Sequence, residues 1–452
     1  MKRELRADLA IIGAGSGGLS VAAGAAQLGL SVVLFEQGEM GGDCLNFGCV
    51  PSKALIAAAA KGWDFARAMA HVRSTIETIA PVDSQERFEG LGVTVIREAA
   101  RFAGRRVVES DSVRVTARKI VVATGSRPKV PPIPGLAEVP SLTNETIFAL
   151  ANLPKHLLVL GGGPIGLELG QAFARLGSKV TVLEAERALA REDPDLAAVV
   201  LEQLNADSVD LREGVKVKRI EPGPVAVLAN DERIEGFCLL LAAGRTPNVE
   251  GLNLEAAGVA HDRGGIRTDR SLCTTNRHVF AIGDITGRPA FTHAAGAHAA
   301  LFVRRALFAS PVNVEKLVVP RVTYTDPELA VVGLTEIEAR AKYGQTIRVI
   351  TQSFEHNDRA QTEADTRGFG KLITDHKGRI LGAAIVGKDA GDLIQPFVLA
   401  MSAGVKLSRL AGTIAPYPTR GEIVKRLAGQ WYSPILFAPR TRRLVSLLKR
   451  LA

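Results

Sequence analysis

Apolar residues along this chain gather into short unbroken runs. Leu9-Ala10-Ile11-Ile12, Val32-Val33-Leu34-Phe35, Leu157-Leu158-Val159-Leu160 and Val180-Thr181-Val182-Leu183 each stop at a glycine or a glutamate. Runs of this length with little polar alternation predict strands buried on both faces, as in a parallel sheet. Between the members of each pair lies a stretch with helical character, rich in small residues in the first copy. Another helix is predicted from Val50 onward by the small residues Ala54 to Ala60. Strand, helix and strand in that order, twice over, predict an α/β fold with two Rossmann-like halves.

Glycine joins each strand to its helix. Gly13-Ala14-Gly15-Ser16-Gly17-Gly18 follows the first run, and Gly161-Gly162-Gly163-Pro164-Ile165-Gly166 follows the third. In such G-x-G-x-x-G turns Gly13 and Gly161 make the tight bend and Gly15 and Gly163 let backbone approach a pyrophosphate. Gly18 and Gly166 let the helix pack closely. Glu36 and Glu184 end the second strand of each pair, both 23 residues after the first glycine. That is near the offset of about 20 at which an acid meets an adenosine ribose. One such turn is a weak signal. Two, each framed by strand, helix and acid, predict two dinucleotides.

Five residues after Glu36 begins Gly41-Gly42-Asp43-Cys44-Leu45-Asn46-Phe47-Gly48-Cys49-Val50-Pro51-Ser52-Lys53. No second cysteine pair stands nearby to complete a zinc knuckle, which leaves a redox pair. With a helix starting here, Cys49 sits at its N-terminus, where free N–H groups and the dipole favour a thiolate. Its pKa is expected below the free value of about 8.5. Lys53 lies one turn further on the same face, with its ammonium directed toward whatever Cys49 faces.

A chain of 452 residues suits two or three domains with ample core. Four cysteines make no disulfide framework, so a reducing compartment is expected, with Cys238 and Cys273 filling small apolar spaces. Met1-Lys2-Arg3 before Leu9 to Gly13 has the outline of a signal peptide, but the apolar run is short and belongs to the fingerprint. No apolar run reaches the roughly 18 residues of a membrane span, so a soluble, cytoplasmic protein is expected. The net charge of +9 is modest, and no motif supports nucleic-acid binding. Much of the excess lies near the C-terminus, where Arg440, Arg442, Arg443, Lys449 and Arg450 flank Leu444, Val445, Leu447 and Leu448, after Trp431 and Tyr432. This pattern fits an amphipathic basic helix on an anionic membrane or acidic partner, or a solvated helix packed on a dimer.

From about Ala7 to Glu422 the chain resembles the class I flavoprotein pyridine nucleotide-disulfide oxidoreductases, the family of dihydrolipoamide dehydrogenase, glutathione reductase and mercuric reductase. The resemblance implies FAD on the first fingerprint, a nicotinamide nucleotide on the second, and a C-terminal α+β dimerisation domain in a homodimer. It implies a discontinuous flavin domain of residues 1–150 and 270–318, a nicotinamide domain of 151–269 and a third domain of 319–452. Val121 to Pro128, with Thr124 and Gly125, matches the exit from the flavin domain, and Val279 to Asp284 the re-entry, where Asp284 would bind the ribityl chain. Phe291-Thr292-His293 opens a helix whose N-terminus would face the flavin pyrimidine. Leu241 to Asn248, with Gly244 and Arg245, matches the closing strand of the nicotinamide domain; Tyr324 to Glu328 resembles the start of the dimerisation domain. Gly42, Lys53 and Ala100 join the expected cofactor-binding set. Glu184 would hydrogen-bond a free ribose hydroxyl and repel a 2′-phosphate, favouring NADH, with Arg187 as the opposing charge.

The resemblance also implies the chemistry. Hydride passes from nicotinamide to flavin and on to a Cys44–Cys49 disulfide, with Cys49 the flavin-facing thiolate and Cys44 the exposed sulfur that meets substrate. Lys53, paired with Glu168, would balance charge. The departure lies in Ala415-Pro416-Tyr417-Pro418-Thr419-Arg420-Gly421-Glu422, where the family's disulfide reductases carry a His-Pro-Thr and a glutamate four residues after the histidine. Only Glu422 of that acid–base pair remains, and Tyr417, with a reference pKa near 10, cannot replace imidazole at neutral pH. Mercuric reductase has tyrosine at the matching place, yet it also needs a C-terminal cysteine pair, and no cysteine follows Cys273. The helix after Lys53 is expected to be short, ending near Gly62. The expected activity is therefore a mercuric-reductase-like transfer to a thiol, disulfide or soft metal ion. The alternatives are a dihydrolipoamide dehydrogenase lacking its histidine and a redox-responsive interaction protein working through the basic tail.

Overall fold

The computed structural model describes residues 2–449 in two compact units, residues 1–185 with 209–317, and residues 186–208 with 318–452. Met1 and Arg450 lie outside the described residues.

The first unit is built on two parallel sheets. In the first, strand β1 (Arg3–Ile12) lies between β2 (Val32–Phe35) and the long strand Val113–Val122, with Val93–Ile96 outside β2 and Val279–Ala281 beyond the top of Val113–Val122. All these pairings are parallel, with Ile12 beside Phe35 on one side and Val122 on the other. An antiparallel pair, Arg101–Gly104 and Val107–Glu109, extends the lower edge. Unbroken apolar runs form these strands because both faces are covered. Ala10, Ile12, Val33 and Phe35 enter one core, and Leu9, Ile11, Val32 and Leu34 enter the opposite one with helix α1 (Ser16–Gln27).

The second parallel sheet runs in the order Val209–Arg212, Lys179–Leu183, His156–Leu160, Cys238–Leu241. A three-stranded antiparallel sheet (Val217–Glu221, Val225–Leu228, Arg233–Glu235) packs with it through Leu158, Leu160, Ala226 and Leu228. A two-stranded ribbon, Ser126–Pro128 with Arg245–Pro247, brings Ser126 opposite Pro247. Cys238 and Cys273 are half-buried, and Cys273 packs against the core shared by Leu9, Ile11 and helix α1.

The second unit is an antiparallel five-stranded sheet, ordered Arg321–Thr323, Glu328–Gly333, Ile380–Gly387, Phe369–Thr374, Arg348–Ser353. Helices cover it around Phe354, Phe397, Leu427 and Trp431. The Pro194–Ala206 helix counts with this sheet. Lys371, only 2% exposed, reaches Asp193 and Asp195 at 2.9 Å, and Arg321 pairs with Glu192 at 2.8 Å.

Candidate active site

Both glycine turns are cradles with an open side. Gly13 has φ +105°, and a Cβ there would lie 2.5 Å from the Ala123 carbonyl oxygen. A Cβ on Gly18 would collide with the Gly13 carbonyl oxygen, and Gly161 and Gly166 repeat both constraints against Ala242 and Gly161. At Gly15 and Gly163 nothing lies within 4 Å of an added Cβ, so what excludes a side chain there is not protein. Gly15 and Gly163 cap α1 and the Pro164–Arg175 helix without a side-chain cap, leaving N–H groups for an anion. Glu36 turns back over its turn, accepting from the Ala14 N–H at 2.6 Å, and Glu184 accepts from the Gly162 N–H at 2.7 Å. These donors, acids and open cradles fit two dinucleotides.

The cysteine segment is fastened to the first cradle. Gly41 (φ +87°) bridges to Gly15, and a Cβ on Gly42 (φ +63°) would stand 2.7 Å from the Gly15 Cα. Cys44 follows in the short helix Gly42–Asn46, and Cys49 opens the helix Cys49–Ala60 behind Gly48, which donates no side-chain cap. That helix ends as its small-residue run does, with Gly62 at φ +67°. The Cys49 sulfur lies 3.5 Å from the Thr292 hydroxyl, at the first residue of the Thr292–Phe302 helix. Both cysteines are free thiols. Cys49 is exposed at the start of its helix and Cys44 is half-buried in the short helix before it.

The two sulfurs divide one proton unequally. The Cys44 thiol hydrogen-bonds to Cys49 and, aided by the Thr292 hydroxyl and the Lys53 charge, brings the Cys49 thiol down to about 6 against burial and Glu168. Cys44 is pushed far up by the same hydrogen bond and by burial, so it keeps its proton. Lys53 Nζ meets Glu168 at 2.7 Å, and Glu168, from the Pro164–Arg175 helix, is 5% exposed. The sequence-derived set Cys44, Cys49, Lys53, Glu168 and Thr292 is thus brought together.

A polar chain continues from Cys44's neighbour. The Asp43 carboxylate receives the Asn144 amide at 3.0 Å and Arg245 Nη2 at 3.0 Å. Arg245 also donates to the Ser126 Oγ at 2.7 Å and the Ser126 carbonyl at 2.8 Å, and Ser126 donates to Asp284 at 2.7 Å. Arg245, expected to touch a cofactor, thus has its guanidinium engaged by Asp43 and Ser126. Thr124 and Asn248 bond each other's backbone oxygens at 3.0 and 2.9 Å, beside Gly125 and Gly244, both with positive φ. His298, 3% exposed, accepts from the Gly283 N–H at 3.1 Å, and burial and Arg288 bring it down to about 4, so the turn carrying Asp284 rests on neutral imidazole. Ala100 is buried in the first core, and His293 stacks on Phe291 with ring centroids 5.2 Å apart. Asn144 carried no sequence signal.

Residues 7–299 match the pyridine nucleotide-disulphide oxidoreductase family and residues 319–428 its dimerisation domain. The chain belongs to this family. Its members use FAD and NAD(P)H, so the two parallel sheets are FAD- and NAD-binding Rossmann-like domains joined to a dimerisation domain. A mercuric reductase of Streptomyces lividans is 35% identical over 94% of this chain and 96% of its own length. A dihydrolipoyl dehydrogenase 3 of Pseudomonas putida is 34% identical over 93% and 97%. The structure of the HOCl-induced flavoprotein disulfide reductase RclA from Escherichia coli superposes with a TM-score of 0.87 at 32% identity, covering 93% of this chain and 99% of that one. A Cu(II) complex of RclA matches equally well.

In this disulphide oxidoreductase the C-terminal segment departs from an acid–base dyad in detail. Tyr417 is 71% exposed and donates to Asp358 at 2.9 Å, and that carboxylate raises its pKa further above the ordinary phenol value. Glu422 opens the Glu422–Leu436 helix, with one carboxylate oxygen unbonded among the described residues and the other 4.0 Å from Arg426. Tyr417 is therefore hydrogen-bonded to Asp358, a partner the sequence did not suggest.

Proposed function

We propose that the protein carries two electrons from NAD(P)H to the Cys44–Cys49 pair and on to a thiophilic metal ion, as a mercuric-reductase-like enzyme. FAD, when bound, would supply the hydride acceptor between the nicotinamide and the sulfur pair. Gly13, Gly15, Gly18, Gly42 and Glu36 would seat its adenosine diphosphate, and Asp284 its ribityl chain. Gly161, Gly163, Gly166 and Glu184 would seat the nicotinamide nucleotide, Glu184 favouring NADH by repelling a 2′-phosphate. This assigns residues 1–150 and 270–318 to FAD, 151–269 to NAD(P)H and 319–452 to dimerisation, in a homodimer.

The observation that carries the reading is the unequal sulfur pair. Opening a Cys44–Cys49 disulfide takes two electrons and one proton, the proton resting on Cys44 while Cys49 stays a thiolate held at about 6. Lys53 stabilises that thiolate, and Glu168 offsets Lys53 so that the site does not carry a bare cation. A soft cation would displace the Cys44 proton and bind both sulfurs. Net turnover is NAD(P)H plus Hg(II) giving NAD(P)⁺, Hg(0) and H⁺. Arg245, Ser126 and Asn144 act as positioning residues that hold Asp43, and with it Cys44, relative to Asp284.

Disulfide reduction needs a proton donor for the departing thiolate, and Tyr417, bound to Asp358 and shifted upward, is a poor one. The mercuric reductase relatives and the Cu(II) complex of RclA support a metal acceptor for this chain. The test is NADH oxidation by the holoenzyme with Hg(II), Cu(II), lipoamide and glutathione disulfide in parallel. Metal-dependent turnover that Cys44→Ser and Cys49→Ser each abolish is expected. Faster turnover on lipoamide would instead support a dihydrolipoamide dehydrogenase.

A further inference from the structure

The last helix of the described chain, Pro439–Leu448, takes no part in the site above and lies past the matched dimerisation domain, which ends at 428. No residue of this helix is buried. Leu444, Val445, Leu447 and Leu448 are 55%, 59%, 56% and 54% exposed, and Phe437 just before is 66% exposed. At 100° per residue Leu444, Val445, Leu447 and Leu448 span one side, which Arg440 also enters, and Arg442, Arg443 and Lys449 take the other.

Charge decides what this face meets. From Ile423 to Ala452 the sequence has no aspartate or glutamate but seven cations, Lys425, Arg426, Arg440, Arg442, Arg443, Lys449 and Arg450. A cationic side next to an exposed aliphatic side matches the interface of an anionic bilayer, where cations meet phosphates and leucines enter the acyl boundary. A second copy of the same helix would set like charges together. No helix among the described residues is long and apolar enough to cross a membrane, so the contact would be peripheral.

We propose that Pro439–Leu448 docks the enzyme on the surface of anionic phospholipid membranes. Each cation near such a surface contributes on the order of fivefold to binding at low salt, so removing three weakens it on the order of a hundredfold. The experiment is flotation of the full-length holoenzyme with vesicles of pure phosphatidylcholine or of phosphatidylcholine mixed with phosphatidylglycerol. Binding to the anionic vesicles alone is expected, weakened by salt and lost both in R442Q/R443Q/K449Q and in L444E/L448E, with NADH oxidation unchanged in both variants. Equal binding to both vesicle types, or none to either, overturns the proposal. L444E/L448E that splits the dimer while the native enzyme ignores vesicles assigns the face to a subunit contact and overturns it too.

Discussion

Replacing Cys44 by alanine removes the largest cause of the low Cys49 pKa, the thiol hydrogen bond, and leaves only Thr292 and Lys53 favouring the thiolate. With its pKa at about 6, Cys49 is about 90% ionised at pH 7, whereas at the reference value of about 9 it would be about 1% ionised. Cys44→Ala should therefore move the thiolate titration up toward neutrality or beyond and cut the thiolate fraction at pH 6.5 several-fold. Cys44→Ser keeps a hydroxyl donor at the same place and should leave the titration close to native. The first ionisation belongs to the pair but is carried by Cys49, so it can be followed as the pH-dependent rate of Cys49 alkylation read by peptide mass. The sign of the stability linkage is fixed by the same shift. A depressed pKa stabilises the reduced fold fully above the unfolded value near 9, and this contribution is lost as pH falls to about 6. If Cys44→Ala alkylates with the native pH profile, the Cys44 thiol is not what lowers Cys49, and the division of roles between the two sulfurs fails.

Further outcomes follow from neighbouring contacts. Lys53→Met should raise the Cys49 titration and Glu168→Gln lower it, since Lys53 favours and Glu168 opposes the thiolate; shifts of the same sign in the alkylation profile would contradict the geometry. Two-electron reduction of the holoenzyme should give a long-wavelength charge-transfer absorbance that Cys44→Ser keeps and Cys49→Ser loses, and the opposite pattern would exchange the two assignments. Arg245→Met and Asp43→Asn should each lower turnover, and together they should cost no more than the worse single change, because each breaks the same ion pair; additive losses in kcat/KM would show independent roles. Tyr417→His should raise lipoamide reduction by up to about 10²-fold while leaving NADH-to-flavin transfer unchanged, and a slower lipoamide reaction would show that Tyr417 already serves it.

What could be read from the sequence is what local spacing encodes. The two cradles, their terminal acids and the helix start at Cys49 depend on residues at most 23 positions apart, where glycine, strand length and helix periodicity suffice. The Lys53–Glu168 pair spans 115 residues and was legible only through resemblance. Asn144 and Ser126 were missed because their partners, Asp43 and Asp284, lie 101 and 158 residues away and no periodicity links them. For the same reason the sequence pairs Tyr417 with the nearby Glu422 and gives no sign of Asp358, its hydrogen-bond partner 59 residues upstream. The packing of the Pro194–Ala206 helix with the C-terminal sheet runs through the buried Lys371, an ion network that hydrophobic pattern cannot reveal.

The most direct test of a metal-ion acceptor is the oxidative half-reaction. Holoenzyme reduced anaerobically with one equivalent of NADH, so that Cys44 and Cys49 are dithiol, is mixed in a stopped-flow instrument with excess NADH and either Hg(II) or lipoamide, and NADH loss is followed through the first turnovers. The account predicts rapid loss with Hg(II), abolished in Cys44→Ser and in Cys49→Ser, and slow loss with lipoamide. Rapid loss with lipoamide and none with Hg(II) would contradict it.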